Sequence, residues 1–493
     1  MGWNRECYPD NMRRSALVWL CLASSVSAQT AADLLDGSRL QDVRLYVFPD
    51  DWRKLRANYL DNTEYPCEFI WRGLVADCEV RSRGRGSRTS VKPSLRIDFN
   101  FGDVDGFLGL NSLALKNNSQ DASMMRERLT MRLFERMGLP APRETHARVW
   151  VNDEFLGLFL MVEPVDKQFL RLRFEENSGY LYQYVQPADP YQLEYLGTNP
   201  ASYVPAPFKP ETHEKKPEPG ALIEMIRRVN QTPDREFLDD VSEYLDLGTA
   251  MTHIATEQFL AQYDGFLAMN NFFLYRPAGE TRHHLLVWDQ DGAFTWKERS
   301  LWEGALPNAL LRRSLERPVL RRAFLEAAYT ATALAGGPRG WLAAEIERIY
   351  AQIREAALAD PVKQCGAPPR ACTNEEFEAA VEALREFARE RMTFIDAELD
   401  VAGFQPRAGS PRLYDAGGVF FNDSPLKLSG ENLAEENAGI TVLVNGFQAA
   451  IESAAPGEIR IQPPAGVMGR VPVTVLRDGI PGNRIWIDLA AAQ

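Results

Sequence analysis

Cysteine and histidine are scarce in this chain of 493 residues, which has six of one and five of the other. No group of them has the spacing of a zinc site. Basic charge is also short, with a formal net charge of −13 and a pI near 5.1. No Lys/Arg block exceeds a few residues, which excludes duplex-phosphate binding as the main activity. Any phosphate the chain holds must be met by a few local cations. The apolar run at the N-terminus, Ala16 to Leu22, is too short to span a bilayer as a mature anchor.

That run follows Arg13 and Arg14 and leads to Val26-Ser27-Ala28, the small-residue spacing of a signal-peptidase site. Residues 1–28 therefore read as a signal peptide, and the mature chain as secreted, periplasmic or cell-surface, with no transmembrane segment. Trp19-Leu20 before Cys21 fits lipoprotein cleavage poorly. Cleavage after Ala28 leaves Cys67, Cys78, Cys365 and Cys372. Each close pair flanks a turn, so two local disulfides, Cys67 to Cys78 and Cys365 to Cys372, are expected in an oxidising compartment.

The length predicts two or three domains. Residues 40–115 are strand-rich, in alternating runs such as Val43 to Phe48 and Ser94 to Phe99. Asp121 is expected to cap a helix from Ala122 to Met137, and a hairpin follows over 147–162. Six prolines between Asn199 and Gly220 predict a long surface loop or lid. Beyond it the chain reads as helical to about Leu399, interrupted by β-like runs at Asn270 to Tyr275 and His284 to Trp288. His283 and His284 are expected to be exposed on the turn before the second run. Residues 408–493 turn into short strands at sandwich spacing.

The chemistry concentrates in Leu285-Leu-Val-Trp-Asp289-Gln-Asp291-Gly292, an apolar strand delivering two carboxylates and a glycine at its end. Hard cations such as Mg²⁺ want oxygens placed this way. Upstream, Asp264 closes an apolar helix and is followed by Asn270 and Asn271. In protein kinases a loop Asp positions the acceptor hydroxyl, an Asn a few residues on binds metal, and a strand-end Asp binds metal again. Those roles would fall to Asp264 as catalytic residue and to Asn270, Asn271, Asp289 and Asp291 as metal ligands. Either Asp264 or the Asn pair alone would read as ordinary turn chemistry. Arg83-Gly-Arg85-Gly-Ser87-Arg88 offers amides and guanidiniums to a triphosphate. Either Lys92 or Lys116 is expected to meet Glu127.

These segments resemble the CotH (spore coat protein H) kinase family from about Val43 to Leu399. The resemblance rests on Arg83-Gly-Arg-Gly-Ser87 with Lys92-Pro-Ser94, Asp121-Ala-Ser-Met-Met-Arg126, Asn152-Asp-Glu-Phe-Leu-Gly157 with Glu163-Pro-Val-Asp166, Asp264 with Asn270-Asn271, and Trp288-Asp289-Gln-Asp291. It implies an α+β, two-lobed, divergent protein-kinase-like domain over 40–400. It further implies transfer of the ATP γ-phosphate to Ser/Thr hydroxyls of an exported or cell-surface protein with Mg²⁺, Mn²⁺ or Ca²⁺. Arg83, Arg85, Lys92, Lys116, Glu127 and Glu163 are the candidate nucleotide-binding residues. The family often has a lysine after Leu181-Tyr182, where this chain has Gln183. Residues 408–493, with Leu428-Ser-Gly-Glu-Asn-Leu433 and Val444-Asn-Gly446, resemble an IPT/TIG immunoglobulin-like β-sandwich. Two rivals stand beside this reading. Asp289-x-Asp291-Gly also suits a haloacid-dehalogenase-like phosphatase, but no alternating strands and helices follow. A non-catalytic cell-surface binding protein on the same scaffold is the alternative function.

Overall fold

The computed structural model describes residues 29–100, 106–416 and 418–491. The signal-peptide reading falls outside them. After a short helix α1 (Ala31–Leu34), seven strands close a barrel: β1 (Gln41–Val47), β2 (Tyr65–Trp71), β3 (Leu74–Ser82), β4 (Leu95–Asp98), β5 (Ser112–Lys116), β6 (Glu144–Val151) and β7 (Glu154–Val162). The barrel order is β1-β2-β3-β4-β5-β7-β6, closed by parallel pairing of β1 with β6. Alternation dictates which side faces in: Val43, Leu45 and Val47 are buried while Asp42 and Arg44 are exposed. Phe69, Phe99 and Phe107 meet in the interior, with Phe69 edge-on to Phe99 at 5.2 Å. Burial of each such ring contributes about 1.5–3 kcal/mol. Cys67 and Cys78 face each other in the β2–β3 register and are joined by a disulfide. Helix α2 (Pro49–Ala57) packs on β2 and β3, with Leu55 in the barrel's core.

Helix α3 (Arg126–Arg136) follows β5, and α4 (Lys167–Phe174) follows β7. The expected start of α3 at Ala122 is corrected to Arg126. Asp121 is not the N-cap, which is Met125; its carboxylate instead accepts from the Ser123 and Arg126 amides at 2.9 and 2.8 Å, while Met124 turns to φ +58°. The chain therefore makes a tight turn before the helix can start.

A second sheet, in the order β11-β10-β8-β9, is built from β8 (Tyr180–Tyr184), β9 (Phe208–Pro210), β10 (Phe272–Arg276) and β11 (His284–Val287). The proline-rich segment is not a free lid. Its Phe208–Pro210 pairs with β8, and Tyr203 and Phe208 are completely buried. Between and after these strands run α5 (Gly220–Gln231), α6 (Phe237–Ser242), α7 (Leu247–Phe259), α8 (Ala309–Leu315), α9 (Pro318–Ala335), α10 (Trp341–Leu358) and α11 (Asn374–Val401). Helix α7 is buried on nearly every side and packs on α9 and α3. Cys365 and Cys372 close a small hairpin before α11. Glu376 lies beside them, but both sulfurs are spent in the disulfide, so this trio holds no metal.

The C-terminal part is all β, a four-stranded sheet facing a five-stranded one over a core of Leu428, Val444, Ile459, Val473 and Ile487 among others. Among the described residues no helix is long and apolar enough to cross a membrane.

His283 is completely buried rather than exposed, because Leu245 pairs with it in a β-bridge and its ring meets the Tyr244 carbonyl at 2.9 Å. Burial pushes its pKa down to about 4 and that of buried His146 to about 3. With folded values below the unfolded 6.5, the unfolded chain takes up protons first as pH falls. Stability should therefore be lost as pH falls from about 6.5 to 4, by roughly 3 kcal/mol for His283 alone. Thermal unfolding across this range, with His283→Gln showing a shallower loss than the parent, checks this.

Candidate active site

Two loops at the end of the second sheet carry the acidic residues, and a buried amide network joins them. Helix α7 is mostly apolar, with Glu257 and Gln258 near its end and the His253 ring 3.2 Å from the Glu257 carboxylate. The Glu257 carboxylate accepts from the Phe266 amide at 2.8 Å and from Gln290 Nε2 at 3.2 Å. Gln262 donates to Gln290 Oε1 at 2.9 Å and accepts from the Asp264 amide at 3.0 Å. Glu257, Gln262 and Gln290 are each at most 3% exposed. In so dry a setting their bonds fix the loops strongly, since each lost partner strands a buried polar group.

Two glycines are required by this closeness. A Cβ on Gly265 would lie 2.5 Å from the Glu257 carboxylate, and one on Gly292 would lie 2.5 Å from Gln262 Oε1 and 3.2 Å from Asp264 Cβ. The glycine of the Asp-Gln-Asp-Gly run is thus what lets the Asp289–Asp291 loop press against the Asp264 loop.

Asp264 is half-buried, and both asparagines serve it. Asn270 Nδ2 donates to Asp264 Oδ1 at 3.1 Å, and Asn271 Nδ2 donates to Oδ2 at 3.2 Å and to the backbone carbonyl at 2.9 Å. Burial raises the Asp264 pKa above the ordinary carboxylate range, against the opposing pull of Asn270. Met269, Asn271 and Asp289 all adopt left-handed φ, +50°, +55° and +52°. Such backbone is uncommon outside glycine and clusters at functional sites.

From the barrel side, Lys116 at the end of β5 reaches Glu127 in the first turn of α3 and Asp289 beyond β11, in contact with both carboxylates. Burial alone would push the ammonium pKa down, but Asp289 and Glu127 more than offset it and hold it above the ordinary value. Burial likewise works to raise Asp289, yet Lys116 and then Arg83 hold it below the usual carboxylate range. Arg83 lies over the Trp288 ring at 5.6 Å. Asp291 lines the same crevice as Lys116, Glu127 and Asp121. Burial, with the charges of Asp289 and Glu127, pushes its pKa well up.

The donor set suits a hard divalent cation. Asn270 and Asn271 spend their Nδ2 groups on Asp264, and among the described residues no donor reaches their Oδ1 atoms or the Asp291 carboxylate. The crevice also holds buried Glu127 Oε1 and Asn118 Nδ2 with no partner. Free carboxylate and amide oxygens beside carboxylates that repel one another are what a cation such as Mg²⁺ binds.

Next to Trp288 and Arg83 opens a cavity of about 390 Å³, walled by Ala114, Pro164, Val165 and Phe273 and fringed by Arg81, Arg96 and Lys209. The family model for CotH kinase protein matches residues 80–395, a span that takes in the cavity, Lys116, Glu127 and both acidic loops. The chain belongs to the CotH kinase family.

A second model, for the IPT/TIG domain, matches residues 415–486 within the all-β part. The inner spore coat protein H of Bacillus subtilis (strain 168) is 23% identical over 379 residues, covering 74% of this chain and 99% of that protein. A solved twitchin kinase region from C. elegans aligns over 84% of this chain and 74% of its own at 8% identity. Its TM-score is 0.21, so that likeness carries no argument.

Not every expected CotH site residue comes to the cluster. Glu127 meets Lys116, and Lys92 is elsewhere. The Lys92 amine is completely buried, 2.5 Å from Asp360 and 2.8 Å from the Leu158 carbonyl, tying the arginine-glycine loop to the end of α10. Glu163 is spent on Arg143 and Arg173. Arg85 is exposed and donates to the Gln186 carbonyl at 2.9 Å. Removing one partner of a buried ion pair strands the other, so Lys92→Met should cost about 3–5 kcal/mol of stability. Denaturant unfolding should show that loss.

Gln183, in the place where the family often has lysine, faces Lys209 across the β8–β9 register, and both line the cavity. Sequence reasoning also missed Gln262, Gln290 and Glu257. For Glu257 and Gln262 the signal was polar side chains inside and just after a mostly apolar helix, and for Gln290 its place between two carboxylates at the end of an apolar strand.

Proposed function

We propose that this chain is an exported, metal-dependent protein kinase that moves the γ-phosphoryl group of ATP to a Ser/Thr hydroxyl. In this reading residues 40–400 form a two-lobed kinase-like domain and 408–493 an appended sandwich. The observation that carries it is Lys116 held between Glu127 and Asp289, beside an Asp264 whose carboxylate is oriented by two asparagines.

The chemistry follows from what these side chains can do. The apolar walls around Trp288 and Phe273 suit a base, Arg83 in the same cavity offers a cation to phosphate oxygens, and Lys116 lies in the adjoining crevice with Asp291. A divalent cation held by Asp289, Asp291 and the Asn270 and Asn271 oxygens would supply charge that offsets the transferring group. Asp264 accepts the acceptor hydroxyl's proton as its oxygen bonds to the γ-phosphorus and the bond to the β-phosphate bridging oxygen breaks, releasing ADP. Its raised pKa helps, because a base with a pKa nearer neutrality holds the proton better. Asn270 and Asn271 keep the carboxylate turned toward the acceptor.

Asp264→Ala should therefore lower turnover by about 10²–10⁴-fold while nucleotide binding is largely retained. The check is a nucleotide-induced thermal shift, with Mg²⁺, Mn²⁺ or Ca²⁺ in turn, beside the transfer rate. No shift with any cation in the parent protein would favour the non-catalytic binding reading.

A further inference from the structure

Helix α3 carries Glu127 at one end and is fastened along one face by three arginines spaced four residues apart. Arg128 donates to Gln352 at 2.7 Å and to the Gly37 carbonyl, on α10 and the N-terminal turn. Arg132 reaches Glu345 on α10 at 3.5 Å. Arg136, in the last turn, donates to the Leu334 carbonyl at 2.8 Å and to the Gly446 carbonyl at 2.6 Å, with its guanidinium 4.2 Å over the Trp341 ring. Leu334 belongs to α9, but Gly446 belongs to the β-sandwich. The third fastening of the Glu127 helix is therefore made partly by the appended domain.

The sandwich is itself fixed where it touches. Asn445 is 2% exposed, and its side chain accepts from the Gly337 amide at 2.8 Å and donates to the Pro338 carbonyl at 3.2 Å. Its backbone carbonyl accepts from the Trp341 amide at 3.1 Å. The approach is main chain to main chain: a Cβ on Gly336 would lie 2.3 Å from the Asn445 carbonyl, and one on Gly446 2.6 Å from the Leu334 carbonyl. Arg484 adds a bond to Thr332 at 2.6 Å and an ion pair with Asp396. Leu443 and Leu476 of the sandwich are buried in the main helical core rather than in their own. A loosely tethered module would present neither leucines nor backbone to its neighbour in this way.

We propose that the β-sandwich is a positioning part of the active site: its Asn445-Gly446 turn, through Arg136, sets the seat of α3 and so the Glu127–Lys116 contact. A helix passes a displacement of one end to the other, since its own hydrogen bonds keep it straight. Arg136 touches no reacting group. Its role is positional and rests on the kinase reading only for what Glu127 then does.

The test is hydrogen exchange across residues 126–136 in the full chain, for the parent, Arg136→Ala, Arg136→Lys and Asn445→Ala, read beside phosphoryl transfer at saturating nucleotide. Asn445→Ala alters the sandwich without touching α3. Both alanine variants should speed α3 exchange roughly tenfold, Arg136→Ala by removing hydrogen bonds from a charged group and Asn445→Ala by freeing the turn that holds the Gly446 carbonyl. Turnover should fall by a similar factor with the global unfolding midpoint little changed, and Arg136→Lys should recover part of both. α3 exchange equal to the parent in both alanine variants overturns the proposal. Faster exchange in a protein whose parent transfers no phosphate upholds the latch and removes the kinase reading instead.

Discussion

Asp289→Ala is expected to lower phosphoryl transfer by at least about 10²–10³-fold while the protein stays folded. The carboxylate sits after an apolar strand in left-handed backbone, a conformation Asp tolerates and Ala only mildly resists. Its side chain remains one-third exposed, so its loss opens no cavity in the core. The fold should survive because Glu257, Gln262 and Gln290 bind the loop without it. Two things vanish together: a metal oxygen and the counter-charge to Lys116. The variant should therefore lose the metal-nucleotide thermal shift as well as turnover, unlike Asp264→Ala, which loses turnover alone. Binding that survives Asp289→Ala but not Asp291→Ala would move the principal ligand role to Asp291.

Lys116→Met should be as severe for activity and worse for stability. The lysine is the cation that Glu127 and Asp289 share, and the side chains of Lys116 and Glu127 are only 10% and 4% exposed. Without it a buried carboxylate faces a second one with nothing between them. Breaking such a buried arrangement costs about 3–5 kcal/mol, and burial already pushes Glu127 above the ordinary carboxylate range with the lysine in place. In the variant, with Lys116 no longer holding it down, Glu127 should take up a proton more readily than in the parent. Lys116→Arg keeps the charge but not the compact reach, so it should restore stability more than turnover. Denaturant unfolding and transfer rates on the same preparations separate the two effects.

Much of this site was legible because its residues lie at element ends, where sequence signals are strongest. An apolar strand stopping at Asp-Gln-Asp-Gly, and an apolar helix leading to an Asp with two asparagines following, marked both loops, although α7 ends at Phe259 and Asp264 lies in the loop after it rather than closing the helix. Pairing across distance was not legible. Lys92 and Lys116 are equally plausible partners for Glu127 in the sequence, and only closure of the barrel puts Lys116 there and Lys92 against Asp360, far along the chain. The proline-rich segment misled for a related reason. Its prolines do forbid regular structure over most of its length, yet Tyr203 and Phe208 are large apolar groups, and their burial pins it to β8. His283 looked like a turn residue beside a polar run, but a β-bridge to Leu245 encloses it. Asp121 did signal a helix start, while the turn it makes first, through Ser123, had no pattern to announce it.

The most direct measurement is transfer of label from γ-labelled ATP by the purified protein, to itself and to a generic Ser/Thr acceptor, with Mg²⁺, Mn²⁺ or Ca²⁺ and with chelator. The account predicts incorporation on Ser or Thr that needs the cation and disappears in Asp289→Ala. Label absent under every cation, or equally present in Asp289→Ala and in chelator, would contradict it.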